Sequence, residues 1–158
     1  MTEREKKYMK LAIELAANNV SSGKGGPFGA VIVKNDEIIA TAVNTVTSSN
    51  DPTAHAEVNA IREACKKLDS FQLDDCEIYS SCEPCPMCLG AIYWSRAKKL
   101  YFAASKDDAK EAGFDDSFIY SEIELPFNQR KLSTERLQTV DYKKPFKLWN
   151  ATNSKIEY

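Results

Sequence analysis

The chain has 158 residues, a length that fits one compact domain with a sizeable core. Hydrophobic residues make up 43% and charged residues 28%, which excludes a disordered chain. A formal net charge of −2 gives no electrostatic reason to expect a nucleic-acid or anionic-membrane partner, and no apolar stretch reaches the length of a membrane span or signal sequence. We therefore expect a single cytoplasmic domain over residues 1–158.

The first third of the chain predicts a helix followed by a hairpin. Apolar residues recur at helical spacing over residues 3–20, so this stretch predicts an amphipathic helix. The glycine-rich run at 21–26 lacks the ending of a phosphate-binding loop and follows a helix, so we interpret it as a connector. Two β-rich runs, 30–33 and 38–43, surround Lys34–Glu37 and predict two antiparallel strands.

The middle of the chain predicts alternating helices and strands. We expect a helix from Thr53 to Leu68 with Thr53 as its cap, a strand at 76–80, a helix at 86–95 and a strand at 100–104. This order is typical of an α/β fold, with right-handed crossovers, parallel pairing and helices on the faces of the sheet. Beyond Ser105 we expect a helix at 106–112, a helix or strand at 118–123, a fifth strand at 137–140 and a last helix at 145–151.

One histidine and two cysteines predict a metal site. His55 is the only histidine, and Glu57 follows it by two residues at the start of a predicted helix. Cys85 and Cys88 stand at the start of the next predicted helix, where Pro86 suits the first helical position and the helix dipole favours thiolate. One imidazole and two thiolates leave the fourth tetrahedral position of a zinc ion to water, as in catalytic sites. Glu57 is then the unligated base beside that water.

The same residues are compatible with other roles. A lone histidine is more often a surface residue, and a lone pair of cysteines is as easily redox-active or half of a structural zinc site. Five cysteines, three of them within seven residues, suit metal binding in a reducing compartment better than disulfides. Cys82 is a potential fourth ligand, but Pro84 makes the preceding residue extended, so we expect Cys82 to point away. The H-x-E and P-C-x-x-C motifs together are typical of zinc-dependent base deaminases.

Five segments of the sequence resemble the cytidine deaminase-like superfamily, and within it the small bacterial-type guanine deaminases. They are Gly25–Ala30, Asn44, Asp51–Glu57, Ser81–Cys88 and Ala112–Phe118. The resemblance implies a three-layer α/β/α sandwich with a five-stranded mixed sheet, and a homodimer. It also implies one Zn²⁺ per subunit, bound by His55, Cys85 and Cys88.

The resemblance also implies roles for residues around the metal. Glu57 is expected to carry protons in the hydrolytic deamination of guanine to xanthine and ammonia, with Asp116 as a catalytic helper. The substrate, a small purine base handled in purine metabolism, is expected to be bound by Phe28, Asn44, Ala56, Phe114 and Tyr158. The C-terminal segment at about 143–158 is expected to act as a lid over its own site or the partner subunit's site. Core packing is the alternative for Phe28 and Phe114, an exposed turn for Asp116, and a disordered terminus for the tail.

Three further functions stay open at this point. A tRNA adenosine deaminase shares both motifs, but it needs a basic surface that an acidic chain does not provide. Guanosine or cytosine is an alternative substrate. A non-catalytic, zinc-stabilised scaffold belongs to another class of protein, and it has no use for an unligated Glu57.

Overall fold

A computed structural model of the protein describes all residues from Met1 to Tyr158. The chain divides into two compact units, Met1–Ser117 and Phe118–Tyr158. The helices of the first unit are α1 (Glu3–Ser21), α2 (Val46–Ser49), α3 (Ala56–Leu68), α4 (Pro86–Trp94) and α5 (Lys106–Glu111). Its strands are β1 (Gly29–Lys34), β2 (Glu37–Val43), β3 (Cys76–Cys82) and β4 (Lys99–Ala104), which form one sheet in the order β2-β1-β3-β4. The unit is therefore α/β, as the sequence predicts.

The sheet has a core on each face. Alternate residues of β1 point to opposite faces, so Ala30 and Ile32 pack with α3 while Val31 and Val33 pack with α1. All four side chains are fully buried. On the α1 side, the ring of Tyr79 lies between Tyr8 and Tyr101. The helices on both faces confirm the predicted three layers.

Strand directions bring several chain segments to one edge of the sheet. β1 is antiparallel to both β2 and β3, and β3 is parallel to β4, so the sheet is mixed and β2, β3 and β4 run the same way. The segments after β2, β3 and β4 and the segment before β1 therefore meet at the same edge. α3 and α4 begin at this edge, which is where open α/β sheets bind ligands.

Two predicted details are wrong. Residues 137–140 form no strand, and the sheet has four strands rather than five, because this short apolar run has no neighbouring strand to pair with and Val140 is fully exposed. α3 is capped by His55 and not by Thr53. The hydroxyl and N–H of Thr53 both donate to the Asp51 carboxylate in a turn, so the helix begins later.

The second unit consists of short helices and irregular chain. α6 (Ser117–Glu124) leads into it, and a 3₁₀ turn (Phe127–Gln129) and α7 (Lys144–Ala151) follow. The Arg130 guanidinium donates to the carbonyls of Ile123 and Leu125 and so ties the turn to the end of α6. Many large apolar side chains of this unit are exposed, among them Leu132, Leu137, Val140, Phe146, Leu148 and Ile156. The predicted single domain with a lid at 143–158 stays a prediction. No helix is long and apolar enough to cross a membrane.

Candidate active site

A cavity of about 590 Å³ opens at the edge of the sheet where the strand ends meet. Its size is ordinary for a small-molecule site. Its lining comes from the loop before β1, the loop after β2, the start of α3, the end of β3 and the segment after β4. Predicted site residues in the lining are Phe28, Asn44, His55, Glu57, Cys85, Phe114 and Asp116.

His55 and Cys85 are the N-caps of α3 and α4, and Cys88 lies in the first turn of α4. His55 Nδ1 lies 3.6 Å from Cys85 Sγ and 3.5 Å from Cys88 Sγ. Zinc–nitrogen and zinc–sulfur bonds of about 2.0 and 2.3 Å in a tetrahedron separate the two ligand atoms by about 3.5 Å. The three ligand atoms all lie within 4.8 Å of one another, so the residues fit the ligand set of a tetrahedral zinc ion.

The pKa values of the two thiols are shifted in opposite directions. The Cys88 thiol and the His55 ring stabilise the Cys85 thiolate and lower the pKa of Cys85 to about 4. Cys88 has a raised pKa because its thiol donates to Cys85 and is buried. The pKa of His55 is raised as well, first by its hydrogen bond with Cys85. A divalent cation bound by these residues would favour thiolate at both cysteines.

Glu57 is a buried carboxyl with a hydroxyl partner. It is the second residue of α3, only 5% exposed, and the Ser80 hydroxyl donates to its Oε1 over 3.0 Å. Burial raises the pKa of Glu57, and the hydrogen bond from Ser80 opposes that shift. A carboxyl with a raised pKa beside a metal site exchanges protons near neutral pH more readily than an exposed one.

Asn44 presents an amide to the cavity from the loop after β2. It is buried, and its backbone N–H donates to the Phe28 carbonyl over 3.1 Å. The N–H of Val46 donates to Asn44 Oδ1 over 3.3 Å. This contact leaves the amide Nδ2 as the group that donates toward a ligand.

Two aromatic rings of the cavity lining are in contact with each other. The rings of Phe28 and Phe114 are 5.0 Å apart at their centroids and meet edge to face, at 85°. Phe114 lies on a loop that Asp115 holds in place by accepting from the N–H and hydroxyl of Ser117 and pairing with Lys110 at 3.1 Å. These contacts lower the pKa of Asp115 to about 2, so its carboxylate stays ionised at all ordinary pH values. Burial and the nearby Cys85 raise the pKa of Asp116.

The remaining predicted residues lie as follows. Ala56 is fully buried as the first residue of α3, and Tyr158 belongs to the second unit with its side chain 71% exposed. Their roles in substrate binding stay predictions. Cys82 lines the cavity, but its thiol donates to the Ser105 carbonyl over 3.6 Å and lies outside the ligand cluster, as Pro84 predicts.

Sequence reasoning missed several lining residues that carry no motif of their own. Thr47 lies in the short helix α2 after β2, Glu83 follows the end of β3, and Lys106 is the first residue of α5 after β4. The rule that ligands bind at the carboxyl ends of strands is the signal that would have found them.

The cytidine and deoxycytidylate deaminase zinc-binding region matches residues 2–104, which cover most of the first unit and include both motifs. The chain belongs to this family of zinc-dependent deaminases. Over 151 residues the chain is 56% identical to guanine deaminase from Bacillus subtilis, with 96% of this chain and 97% of that protein covered. The crystal structure of guanine deaminase from the same organism superimposes with a TM-score of 0.96 at 54% identity, covering 100% of this chain and 99% of that one.

Two further relatives match a shorter stretch. The tRNA-specific adenosine deaminase of Aquifex aeolicus is 44% identical over 106 residues, which are 67% of this chain and 68% of that protein. A structure of guanine deaminase from Nitrosomonas europaea matches with a TM-score of 0.65 at 37% identity, over 69% of this chain and 63% of that one. These similarities confirm the predicted family and the cytidine deaminase-like fold.

Proposed function

We propose that this protein is a guanine deaminase, which hydrolyses guanine to xanthine and ammonia. The observation that carries the proposal is the similarity to B. subtilis guanine deaminase over nearly the whole length of both chains. The site geometry gives the reaction class, because a histidine, two cysteines and a buried glutamate are the groups that zinc-dependent base deaminases use. The Phe28–Phe114 pair supplies apolar surface for a planar base.

One zinc ion per subunit, bound by His55, Cys85 and Cys88, is the cofactor in this proposal. A bound zinc ion lowers the pKa of a coordinated water toward neutrality. The ligand atoms support zinc, since one imidazole and two thiolates are preferred zinc ligands. Residues 1–158 contain one such cluster of ligands.

Glu57 transfers the protons of the reaction. It accepts a proton from the attacking water as the water oxygen bonds to C2 of guanine, and it passes that proton to N3. The hydroxyl now on C2 gives up its proton, and Glu57 delivers this second proton to the exocyclic nitrogen. The bond from C2 to that nitrogen then breaks, so ammonia leaves and the C2 carbonyl of xanthine forms. The Ser80 hydroxyl keeps the Glu57 carboxylate oriented between transfers.

Four other residues contact the base in this proposal. The Nδ2 group of Asn44 donates to a ring acceptor, and the rings of Phe28 and Phe114 form one apolar wall beside the base. Asp116 meets the polar edge of guanine or assists protonation of the leaving amine, a role that suits a carboxyl whose pKa is raised.

The charge of the cavity favours a free base over a phosphate-bearing substrate. Its lining contains four carboxyl groups, from Glu57, Glu83, Asp115 and Asp116, and one lysine, Lys106. RNA binding needs clustered cations against the phosphate backbone, and this arrangement provides the opposite sign. A small neutral purine therefore fits the cavity better than a tRNA loop.

The test is a panel of substrates assayed for ammonia release by the zinc-loaded enzyme. The panel holds guanine, guanosine, adenine, cytosine and a tRNA anticodon stem-loop. We expect guanine to have the largest kcat/KM. A larger kcat/KM on the stem-loop would identify a tRNA deaminase, and no release from any member would favour the non-catalytic scaffold.

We further propose a homodimer in which the C-terminal segment reaches the partner's site. Two features support it: the apolar side chains that the second unit leaves exposed, and the outer side of β4, which has no strand pairing. A cytoplasmic location is part of the same proposal, because all five cysteines are free and a reducing compartment preserves the metal-binding thiols. A role in purine metabolism follows from the proposed activity.

A further inference from the structure

Asn19 connects the two loops that present Asn44 and Phe28 to the cavity. It lies in the last turn of α1 and is only 4% exposed. Its side-chain Nδ2 donates to the Asn44 carbonyl over 2.8 Å and to the Gly26 carbonyl over 2.9 Å. Both hydrogens of one amide are thus used to join a residue before β1 to a residue after β2.

The Asn44 backbone is held from its other sides as well. Asn59, on α3, donates its Nδ2 to the Val43 carbonyl over 3.0 Å. The N–H of Asn44 donates to the Phe28 carbonyl over 3.1 Å. Asn19 and Asn59 therefore fix consecutive carbonyls, those of Asn44 and Val43, from two different helices.

The packing around Asn19 leaves little room for another arrangement. A Cβ atom at Gly25 would lie 2.2 Å from the Asn44 carbonyl oxygen and 2.9 Å from Asn19 Nδ2. A non-bonded carbon atom does not come this close to a carbonyl oxygen, so only glycine fits at position 25. Because the loops pack so closely, we expect loss of the Asn19 hydrogen bonds to displace Asn44.

We propose that Asn19 is a positioning residue for binding of the purine base. It acts through Asn44, and the inference rests on the proposed guanine deamination for its kinetic readout. Asn19 sets the place of the Asn44 amide, whose Oδ1 is occupied by the Val46 N–H, and of Phe28, the first aromatic wall of the cavity. Asn19 itself does not line the cavity.

The test compares Asn19→Asp with Asn18→Asp. Both substitutions add one negative charge to the same turn of α1, but Asn18 is exposed. A carboxylate at position 19 has nearly the size of the amide, has no hydrogen to donate and directs oxygens at two carbonyl oxygens. We expect Asn19→Asp to raise KM for guanine about tenfold or more, because a buried polar contact is lost, and to change kcat less than about threefold. Asn18→Asp should match the wild type.

A second readout needs no substrate. Amide hydrogen exchange at Phe28 and Asn44 should be faster in Asn19→Asp than in the wild type, while Val31 in β1 keeps its protection. If Asn19→Asp does not fold, Asn19→Ala against Asn18→Ala serves the same comparison without the charge. Wild-type KM together with unchanged exchange at both amides would overturn the proposal. If the wild-type protein itself does not deaminate guanine, the proposed function fails and the exchange data alone decide on Asn19.

Discussion

Glu57 differs from Glu63, the other acidic residue of α3, in being buried. Its carboxyl is 5% exposed, lines the cavity and accepts from the Ser80 hydroxyl, whereas Glu63 on the same helix is exposed. Burial of a carboxyl costs free energy, which the hydrogen bond from Ser80 offsets only in part. A chain tolerates such a cost where the group has a function, and the proposed proton transfer is a function that no ligand of the cluster can serve.

The first prediction concerns Glu57→Gln. The amide keeps the size of the carboxyl but cannot accept and release the two protons of the reaction, so ammonia release should fall by about 10⁴-fold or more. Bound zinc, measured by atomic absorption, should remain at the wild-type level. Glu63→Gln is the matched control and should keep full activity, and Cys88→Ala should instead lose the metal. Substantial activity in Glu57→Gln would refute the assignment.

At the scale of single elements, the contact between α1 and β1 depends on Gly29. A Cβ atom there would lie 2.5 Å from the Ala12 carbonyl oxygen and 2.9 Å from the Ala16 nitrogen, both in the backbone of α1. Ala12 and Ala16 are themselves buried and small, so the helix and the strand approach closely. Asn19 lies in the last turn of the same helix. We therefore expect a shift of α1 relative to the sheet to move the loops that line the cavity as well.

The second prediction is that Gly29→Ala and Gly90→Ala act with opposite signs. Gly29→Ala should lower the free energy of unfolding by about 1–3 kcal/mol, because the helix must move away from the sheet. Gly90, inside α4, has no atom within 4 Å of an added Cβ, so Gly90→Ala should raise it by up to about 1 kcal/mol through helix propensity. Urea unfolding measures both. Equal effects at the two positions would contradict the packing argument.

Sequence periodicity was sufficient for the elements of the first unit except α2, whose four residues are too few to show a helical period. Each predicted helix and strand before Ser105 is present, because alternation in β1 and helical spacing in α1 and α3 record which faces are buried. The strand predicted at residues 137–140 is absent because β-propensity alone does not supply a neighbouring strand to pair with. Thr53 is not the helix cap because its hydrogen bonds to the Asp51 carboxylate hold it in a turn before the helix begins.

Residue chemistry alone predicted the candidate site only where that chemistry restricts the residue type, and the other predicted lining residues came from the family resemblance. Metal ligation selects His55, Cys85 and Cys88, and the structure brings these three together. Asn19 was not predictable, because an asparagine near a helix end has many ordinary roles and its partners are distant in sequence. Contacts to backbone carbonyls leave no residue pattern, so they appear only in three dimensions.

At the scale of the whole molecule, the two units differ in how well they bury apolar side chains. Core residues of the first unit, such as Ile32 and Ile78, are fully buried, while Val140 in the second is 100% exposed. Exposed apolar surface of this extent is typical of a protein–protein interface. Assembly of two copies is therefore expected to stabilise the second unit in particular.

The third prediction tests whether the C-terminal segment acts on the partner subunit. Deletion of residues 154–158 should lower guanine turnover if the segment covers the site. Coexpression of this variant with Glu57→Gln should restore about a quarter of the wild-type activity per site, because half of randomly formed dimers combine an intact Glu57 with a partner's intact tail. Sedimentation measures the dimer in each sample. No restoration would indicate that each tail serves its own site.

The metal-ligand cluster and one wall of the cavity belong to different kinds of chain segment. The metal-ligand cluster lies at the starts of α3 and α4, whereas the Phe114 wall is a loop after α5 that the family match over residues 2–104 does not include. Loops tolerate substitution and insertion more readily than packed elements. Relatives that share the ligand cluster can therefore differ in substrate by changing this wall. Exchange of whole loops between such relatives is accordingly a practical route to new base specificities.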